Sequence, residues 1–334
     1  MIKKAMIMAA GAGTRLGALS DIVPKPLAPL ANVPVIDIIL KHLASYGIKD
    51  VIANTFYKAE DIQKHCINND FGVNFNYVHE KELSGTAGGL SKCRFFFDNE
   101  EDFIVMSGDG LTDINIEAAY TMHRFSNAIA TIITKEVNHN EISKYGVIVP
   151  DENGFVKSFQ EKPSAEEALS NLANTGTYIF KREIFRYIPE NAFYDFAKDV
   201  FPALMHNNIK INTHIHKGYW SDIGSIEQYR QANFDILNNR ISIIHPEIIH
   251  TRSGKYTSGK NLYIASGAEF TGCCAAGRNC SIGKNAVIKN SILWDNVKVN
   301  DGAVIDNSII LSGASVSGFV RNEIVSSGRA AVLS

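Results

Sequence analysis

From Ile264 onward the apolar residues of this chain return every six positions, a period that neither a helix nor a lone strand possesses. Ile264, Phe270, Ala276, Ile282 and Ile288 hold one phase, and Ala268, Cys274, Cys280, Ala286 and Ile292 hold a second, four residues later. One residue is then dropped. Leu293, Val299, Ile305 and Leu311 resume the first phase, with Val297, Ala303 and Ile309 in the second. A beat of six requires a short strand plus a turn on each side of a triangular coil, with successive coils stacked so that each rung covers the next. About three such coils fit between residue 261 and residue 334.

The preceding residues keep a different rhythm. Ala5 to Ala9 is an apolar run that reads as a buried parallel strand, followed by a loop holding Gly11, Gly13 and Gly17. A helix is expected over 32–47, where Val35, Ile38, Ile39, Leu43 and Tyr46 recur at three- and four-residue spacing. Strand 50–54, helix 59–67 and strand 73–78 continue the alternation. The fold class that follows is α/β: a Rossmann-like, mixed but mostly parallel sheet with helices on both faces, and then a short parallel β-helix. The expected boundaries are 1–240 for the α/β domain, 241–260 for a connector and 261–334 for the repeats. In such sheets ligands sit beyond the carboxyl ends of the strands, and there the polar motifs fall.

The first of these is the loop after residue 9. Glycines there let backbone N–H groups close on an oxyanion. The spacing G-x-G-x-x-x-G fits neither the dinucleotide fingerprint nor the G-K-[ST] phosphate loop. Instead Arg15 stands within the loop, and Lys25 is held between Pro24 and Pro26. A planar guanidinium fork and a mobile point charge together suit a chain of phosphates. Asp109, flanked by Gly108 and Gly110 at the end of an apolar strand, has room for a hydrated cation. Asp222, far along the chain, lies two residues before Gly224. Glu80 to Leu90 is glycine-rich, and there Ser84 or Thr86 could equally cap a helix without a ligand.

The segments G-x-G-T-R-L and P-K-P-L resemble the signature of the sugar-1-phosphate nucleotidyltransferases, which form nucleotide sugars from a nucleoside triphosphate and a sugar 1-phosphate. The resemblance implies that Ala10, Gly11, Gly13, Thr14 and Arg15 hold the triphosphate, with Arg15 and Lys25 serving catalysis. It further implies that Gly85, Thr86 and Gly88 of the G-T-A-G segment read the nucleobase, and that Asp109 and Asp222 bind Mg²⁺. Gly146, Glu161 and Lys162 of the E-K-P segment, and Asn174 of N-x-G-x-Y, would receive the sugar phosphate. The six-residue beat resembles the hexapeptide repeat of left-handed β-helices, which implies a homo-oligomer contact through the coil. Within the family the plan looks most like mannose-1-phosphate guanylyltransferases, hence GTP with mannose 1-phosphate. Other pairings share the loops: glucose 1-phosphate with UTP, dTTP, CTP or ATP, or heptose 1-phosphate with GTP. A non-catalytic relative that binds nucleotide sugar and regulates a partner is the alternative of another class.

Composition excludes several functions. With 33 basic against 35 acidic residues there is no long-range field to draw nucleic acid, and no apolar run reaches a membrane span. A cytoplasmic, soluble protein is expected. Five cysteines without a C-x-x-C pair encode neither a disulfide framework nor a zinc site and are expected to be small buried apolar residues.

Overall fold

The computed structural model describes residues 1–11, 13, 16–327 and 329–332, the last four by backbone alone. The chain forms two compact units, one from Met1–Ala12 and Ile39–Asp222, the other from Gly13–Ile38 and Ile223–Ser334.

Nine strands of the first unit make one sheet. They are β1 (Lys4–Ala9), β2 (Asp50–Thr55), β3 (Asn74–His79), β4 (Asp102–Ser107), β6 (Ala130–Glu136), β7 (Gly146–Pro150), β8 (Val156–Glu161), β9 (Leu172–Lys181) and β10 (Ile211–His216). Two-residue strands β5 (Leu111–Thr112) and β11 (Trp220–Ser221) form a separate antiparallel ribbon. The order is β8-β7-β9-β4-β1-β2-β3, with β6 pairing β9 and β10 pairing β6. Strands β1, β2, β3 and β4 are mutually parallel, whereas β9 runs antiparallel to β4, β6 and β7. The sheet is therefore mixed, and parallel from β4 through β1 and β2 to β3, as expected.

Burial explains the composition of each strand. β1 and β2 are covered on both faces and read as nearly continuous apolar runs; β3, at the edge, has no fully buried residue. Helices α1 (Val35–Ser45) and α2 (Ala59–Asn68) lie close to the expected spans, and α3 (Gly85–Lys92) and α4 (Ile116–Ser126) follow. Asn115 caps α4, its Oδ1 accepting the Ala118 N–H at 2.9 Å. The core is aromatic: Phe97 stacks on Phe103 with centroids 4.1 Å apart, and Phe180, Phe196 and Phe201 continue the cluster. Residues 182–187 form a 3₁₀ turn, and 196–200 a π turn leading into α5 (Phe201–His206).

In the second unit the six-residue beat does build a coil of three parallel ladders. Tyr256 pairs with Cys274, Ala275 with Ile292, Ile292 with Ile309 and Ile309 with Ile324, so that a turn of the coil consumes about three hexads. Both apolar phases point inward except at the first rung, where Ile264 remains 38% exposed because nothing precedes it in its ladder. That ladder holds four rungs, more than about three coils would supply. A different ladder also reaches into the residues read as connector: Gly254–Ser258 is already a rung, parallel to Glu269–Ala276, with Tyr256 stacked on Phe270 at 4.3 Å. Cys274 and Cys280 are buried in the coil, and burial pushes the Cys274 thiol up to about 12; Cys273, by contrast, is only half-buried.

Helix α6 (Ile226–Leu237), capped by Ser225, presents Tyr229 to both the coil and the proline-rich N-terminal segment of this unit. The Tyr229 hydroxyl donates to Pro29 O at 2.6 Å and accepts from Trp294 Nε1 at 2.9 Å. Asn233 Oδ1 accepts the Ala31 N–H at 2.8 Å, and Asn32 Nδ2 donates to Ala276 O at 3.0 Å. Among the described residues no helix is long and apolar enough to cross a membrane.

Candidate active site

Strand addition reverses direction at β1, with β2 and β3 on one side and β4 on the other. Such a reversal opens a crevice at the carboxyl ends of β1 and β4. Ala10 and Gly11 leave β1 on one lip, Gly11 exposed. On the other lip, Gly108 N donates to Met8 O at 2.9 Å, and a Cβ on Gly108 would lie 2.7 Å from that same oxygen. Only glycine allows the two strand ends to approach so closely, and Asp109 is thereby brought to the crevice, its Oδ1 accepting a hydrogen bond from Ser107 Oγ.

The ribbon adds the second carboxylate. Trp220 pairs with Thr112 and Ser221 with Leu111. One step further along the same antiparallel register, Asp222 falls opposite Gly110, beside Asp109. The chain segments of Asp109 and Asp222 thus flank the same end of the ribbon. Among the described residues no group of three or more His, Cys, Asp or Glu side chains forms a metal cluster. A divalent ion here would rest on this pair, with water and ligand oxygens completing the shell, and that is the habit of Mg²⁺ rather than of a transition metal.

The residues expected at the sugar phosphate are gathered by register. Glu161 pairs with Gly146, and Ala173 with Val147, which sets Asn174 alongside Gly146. Asn174 opens an irregularity in β9; its Nδ2 donates to Tyr178 Oη at 3.1 Å and its Oδ1 accepts the Gly176 N–H at 3.1 Å. Lys162 has a left-handed φ of 47°, uncommon for a side-chain-bearing residue. Its N–H donates to Tyr145 O at 3.2 Å, and the Tyr145 ring meets Trp220 edge-on at 5.1 Å, two residues before Asp222.

The glycine-rich segment at 85–88 has neighbours already. The Ala87 and Gly88 amides both donate to Tyr194 O at 3.0 Å, and a Cβ on Gly85 would lie 2.4 Å from that carbonyl. Thr86 Oγ1 donates to Asp195 Oδ2 at 2.8 Å. Beneath this turn lies a polar network unforeseen from sequence. Buried Glu80 accepts from Asn54 Nδ2 at 2.6 Å, from Ser84 N at 3.1 Å and from Lys92 Nζ at 2.9 Å, while Asn54 Oδ1 accepts the Ala9 N–H at 3.1 Å. Burial opposes ionisation of Glu80, but the hydrogen bonds from Ser84, Lys92 and Asn54 prevail and hold its carboxyl below the usual range. The start of the glycine loop and the start of α3 are thereby tied through one carboxylate. Asn54 and Glu80 each end a parallel strand, which is the only sequence signal that could have singled them out.

In the second unit Lys25 is buried, and its stem packs on the loop: a Cβ on Gly13 would come within 3.2 Å of Lys25 Cβ. Ser20 Oγ donates to Gly13 O at 2.6 Å, and Pro24 and the turn Lys25–Leu27 set the backbone. Gly13 and Lys25 are therefore neighbours. Thr14 and Arg15 lie outside the described residues.

The nucleotidyl transferase family model matches residues 4–239. The chain is 34% identical over 336 residues to a UTP–glucose-1-phosphate uridylyltransferase of Synechocystis sp., covering 92% of this chain and 87% of the relative. It is 27% identical over 304 residues to a mannose-1-phosphate guanylyltransferase of Mycobacterium tuberculosis, covering 90% and 82%. Among solved structures, a UDP-glucose pyrophosphorylase complexed with UDP-glucose superposes with TM-score 0.62 at 25% identity, over 72% of this chain and all of that one.

Proposed function

Because the chain belongs to the nucleotidyl transferase family, we propose that it joins a nucleoside triphosphate to a hexose 1-phosphate, releasing pyrophosphate. The observation that carries this reading is the crevice itself, where Asp109 and Asp222 reach one strand end from opposite parts of the chain. A phosphate oxygen of the sugar 1-phosphate attacks the α-phosphorus in line, the new P–O bond forms as the bond to the β-phosphate oxygen breaks, and pyrophosphate leaves. No protein nucleophile is required, so the side chains act by positioning and by stabilising charge.

In this scheme Lys25 and Arg15 meet the negative charge that grows on the α-phosphate. The glycine loop from Ala10 to Thr14 cradles the triphosphate, and Gly85, Thr86 and Gly88 border the base. Gly146, Glu161, Lys162 and Asn174 receive the sugar phosphate, the lysine on the phosphate and the glutamate on hydroxyls. Mg²⁺ held by Asp109 and Asp222 would neutralise phosphate charge. The coil, whose exposed Tyr263 and Phe319 offer apolar contacts, supports a homo-oligomer.

The sugar and base are the finer part of the proposal. The uridylyltransferase relative supports UTP with glucose 1-phosphate as the first pair to try; GTP with mannose 1-phosphate, suggested by the loops, is supported by the guanylyltransferase relative at lower identity. Pyrophosphate release should be measured with each of five triphosphates crossed with glucose, mannose and heptose 1-phosphates. One pair is expected to exceed the rest by tenfold or more in kcat/KM, and absence of pyrophosphate release in every combination would overturn the reading.

A further inference from the structure

The ribbon that delivers Asp222 has only two residue pairs, too few to hold its own register. What fixes it is Tyr219, one residue before the ribbon, whose backbone polar groups are both engaged by the same neighbours. Tyr219 N donates to Asp113 Oδ1 at 2.6 Å. Tyr219 O accepts from His216 Nε2 at 3.0 Å and from Asp113 N at 3.3 Å. His216 Nε2 is also 3.2 Å from Asp113 Oδ1, and both side chains are largely buried. On the far side of Asp222 stands Ile223, a fully buried β-branched residue with φ of 43°. That conformation costs on the order of 1–3 kcal/mol and persists only where its surroundings impose it.

Resting on the reading of Asp222 as a metal ligand, we propose that Asp113 and His216 are positioning residues that clamp the 218–222 turn and so hold the Asp222 carboxylate beside Asp109. Neither touches substrate. Their contribution is to spare the ion the ordering of a loop that would otherwise be free to move at the moment of binding. Gly218 belongs to the same device, since a Cβ there would fall 2.2 Å from Asp113 Oδ1 and 2.6 Å from His216 Cε1.

The test is binding of Mn²⁺ alone to the full chain, followed by the loss of its free-ion EPR signal, for wild type, Asp222→Asn, Asp113→Ala, Asp113→Asn and Gly218→Ala. Asp113→Ala is expected to weaken Mn²⁺ binding about tenfold, and Asp113→Asn, which keeps an acceptor for Tyr219 N, to lie within threefold of wild type. With UTP and glucose 1-phosphate, or the pair that the panel selects, Asp113→Ala should raise the Mg²⁺ activation constant while kcat at saturating Mg²⁺ falls less than threefold. Should Asp113→Ala not fold, Gly218→Ala, which pushes the clamp open without removing a polar group, carries the same expectation. Wild-type Mn²⁺ affinity in the clamp variants, with binding lost in Asp222→Asn, would overturn the clamp and leave the metal site standing. Wild-type affinity in Asp222→Asn would overturn the metal site, and the clamp with it.

Discussion

Replacing Glu80 by leucine strikes the polar network where β3 ends. The carboxylate is 1% exposed and accepts from Asn54 Nδ2, Ser84 N, Ser84 Oγ and Lys92 Nζ. Removing one partner of a buried ion pair costs about 3–5 kcal/mol. Lys92 is 29% exposed and can swing its ammonium to water, which moves the expectation toward the lower end. Asn54 Nδ2 and Ser84 N have less freedom, and each orphaned donor adds about 1–3 kcal/mol, overlapping with the first figure because the groups are the same. The expected loss is about 4 kcal/mol for Glu80→Leu and about 2 kcal/mol for Glu80→Gln, which keeps one acceptor but turns an NH₂ toward donors. Trp220 and Trp294 are the only tryptophans, one in each compact unit, so urea unfolding read by fluorescence in a Trp294→Phe background reports the unit that contains Glu80. Adding Lys92→Met to Glu80→Leu should restore about 1 kcal/mol, because the unpaired ammonium goes with it. A Glu80→Leu midpoint shift no larger than that of a surface substitution, about 0.5 kcal/mol, would refute the account.

Lys25→Ala should lower kcat about a hundredfold at unchanged thermal midpoint, measured by pyrophosphate release, since it removes one charge contact to the reacting phosphate. Lys162→Ala should raise KM for the sugar phosphate with little change in KM for the triphosphate, because the proposed scheme sets its exposed ammonium, 3.9 Å from Glu161 Oε1, on the acceptor's phosphate; equal effects on both would place it elsewhere. Burial works against ionisation of Asp102, yet the neighbouring His123, Arg124 and Tyr120 outweigh it and hold the carboxyl at about 2. A folded-state value below that of the unfolded chain stabilises above the unfolded value, so about 2 kcal/mol should disappear as pH falls from about 4 toward 2, and Asp102→Asn should flatten that part of a stability profile.

Periodicity made the architecture legible. Strands covered on both faces appear as unbroken apolar runs, helices as 3.6-residue stripes and the coil as a beat of six, because in each case burial follows directly from local geometry. The candidate groups of the proposed site were legible too, in the glycine spacing around Gly11 and Gly13, in Lys25 between prolines and in Asp109 between glycines. The extent of the coil was not: Gly254–Ser258 carries no full hexad, and only pairing with Glu269–Ala276 recruits it.

What residue order alone determined about this protein is the set of local elements and the chemical groups at their ends, since those depend on neighbours a few positions away. Tertiary structure alone decided that Trp220 and Ser221 pair with Thr112 and Leu111, that Glu80 gathers Asn54, Ser84 and Lys92, and that Asp113 and His216 seize Tyr219. Each of these joins residues whose separation along the chain bears no relation to their distance in space, and such contacts exist only once the sheet has set its strand order and the buried polar groups have had to find partners.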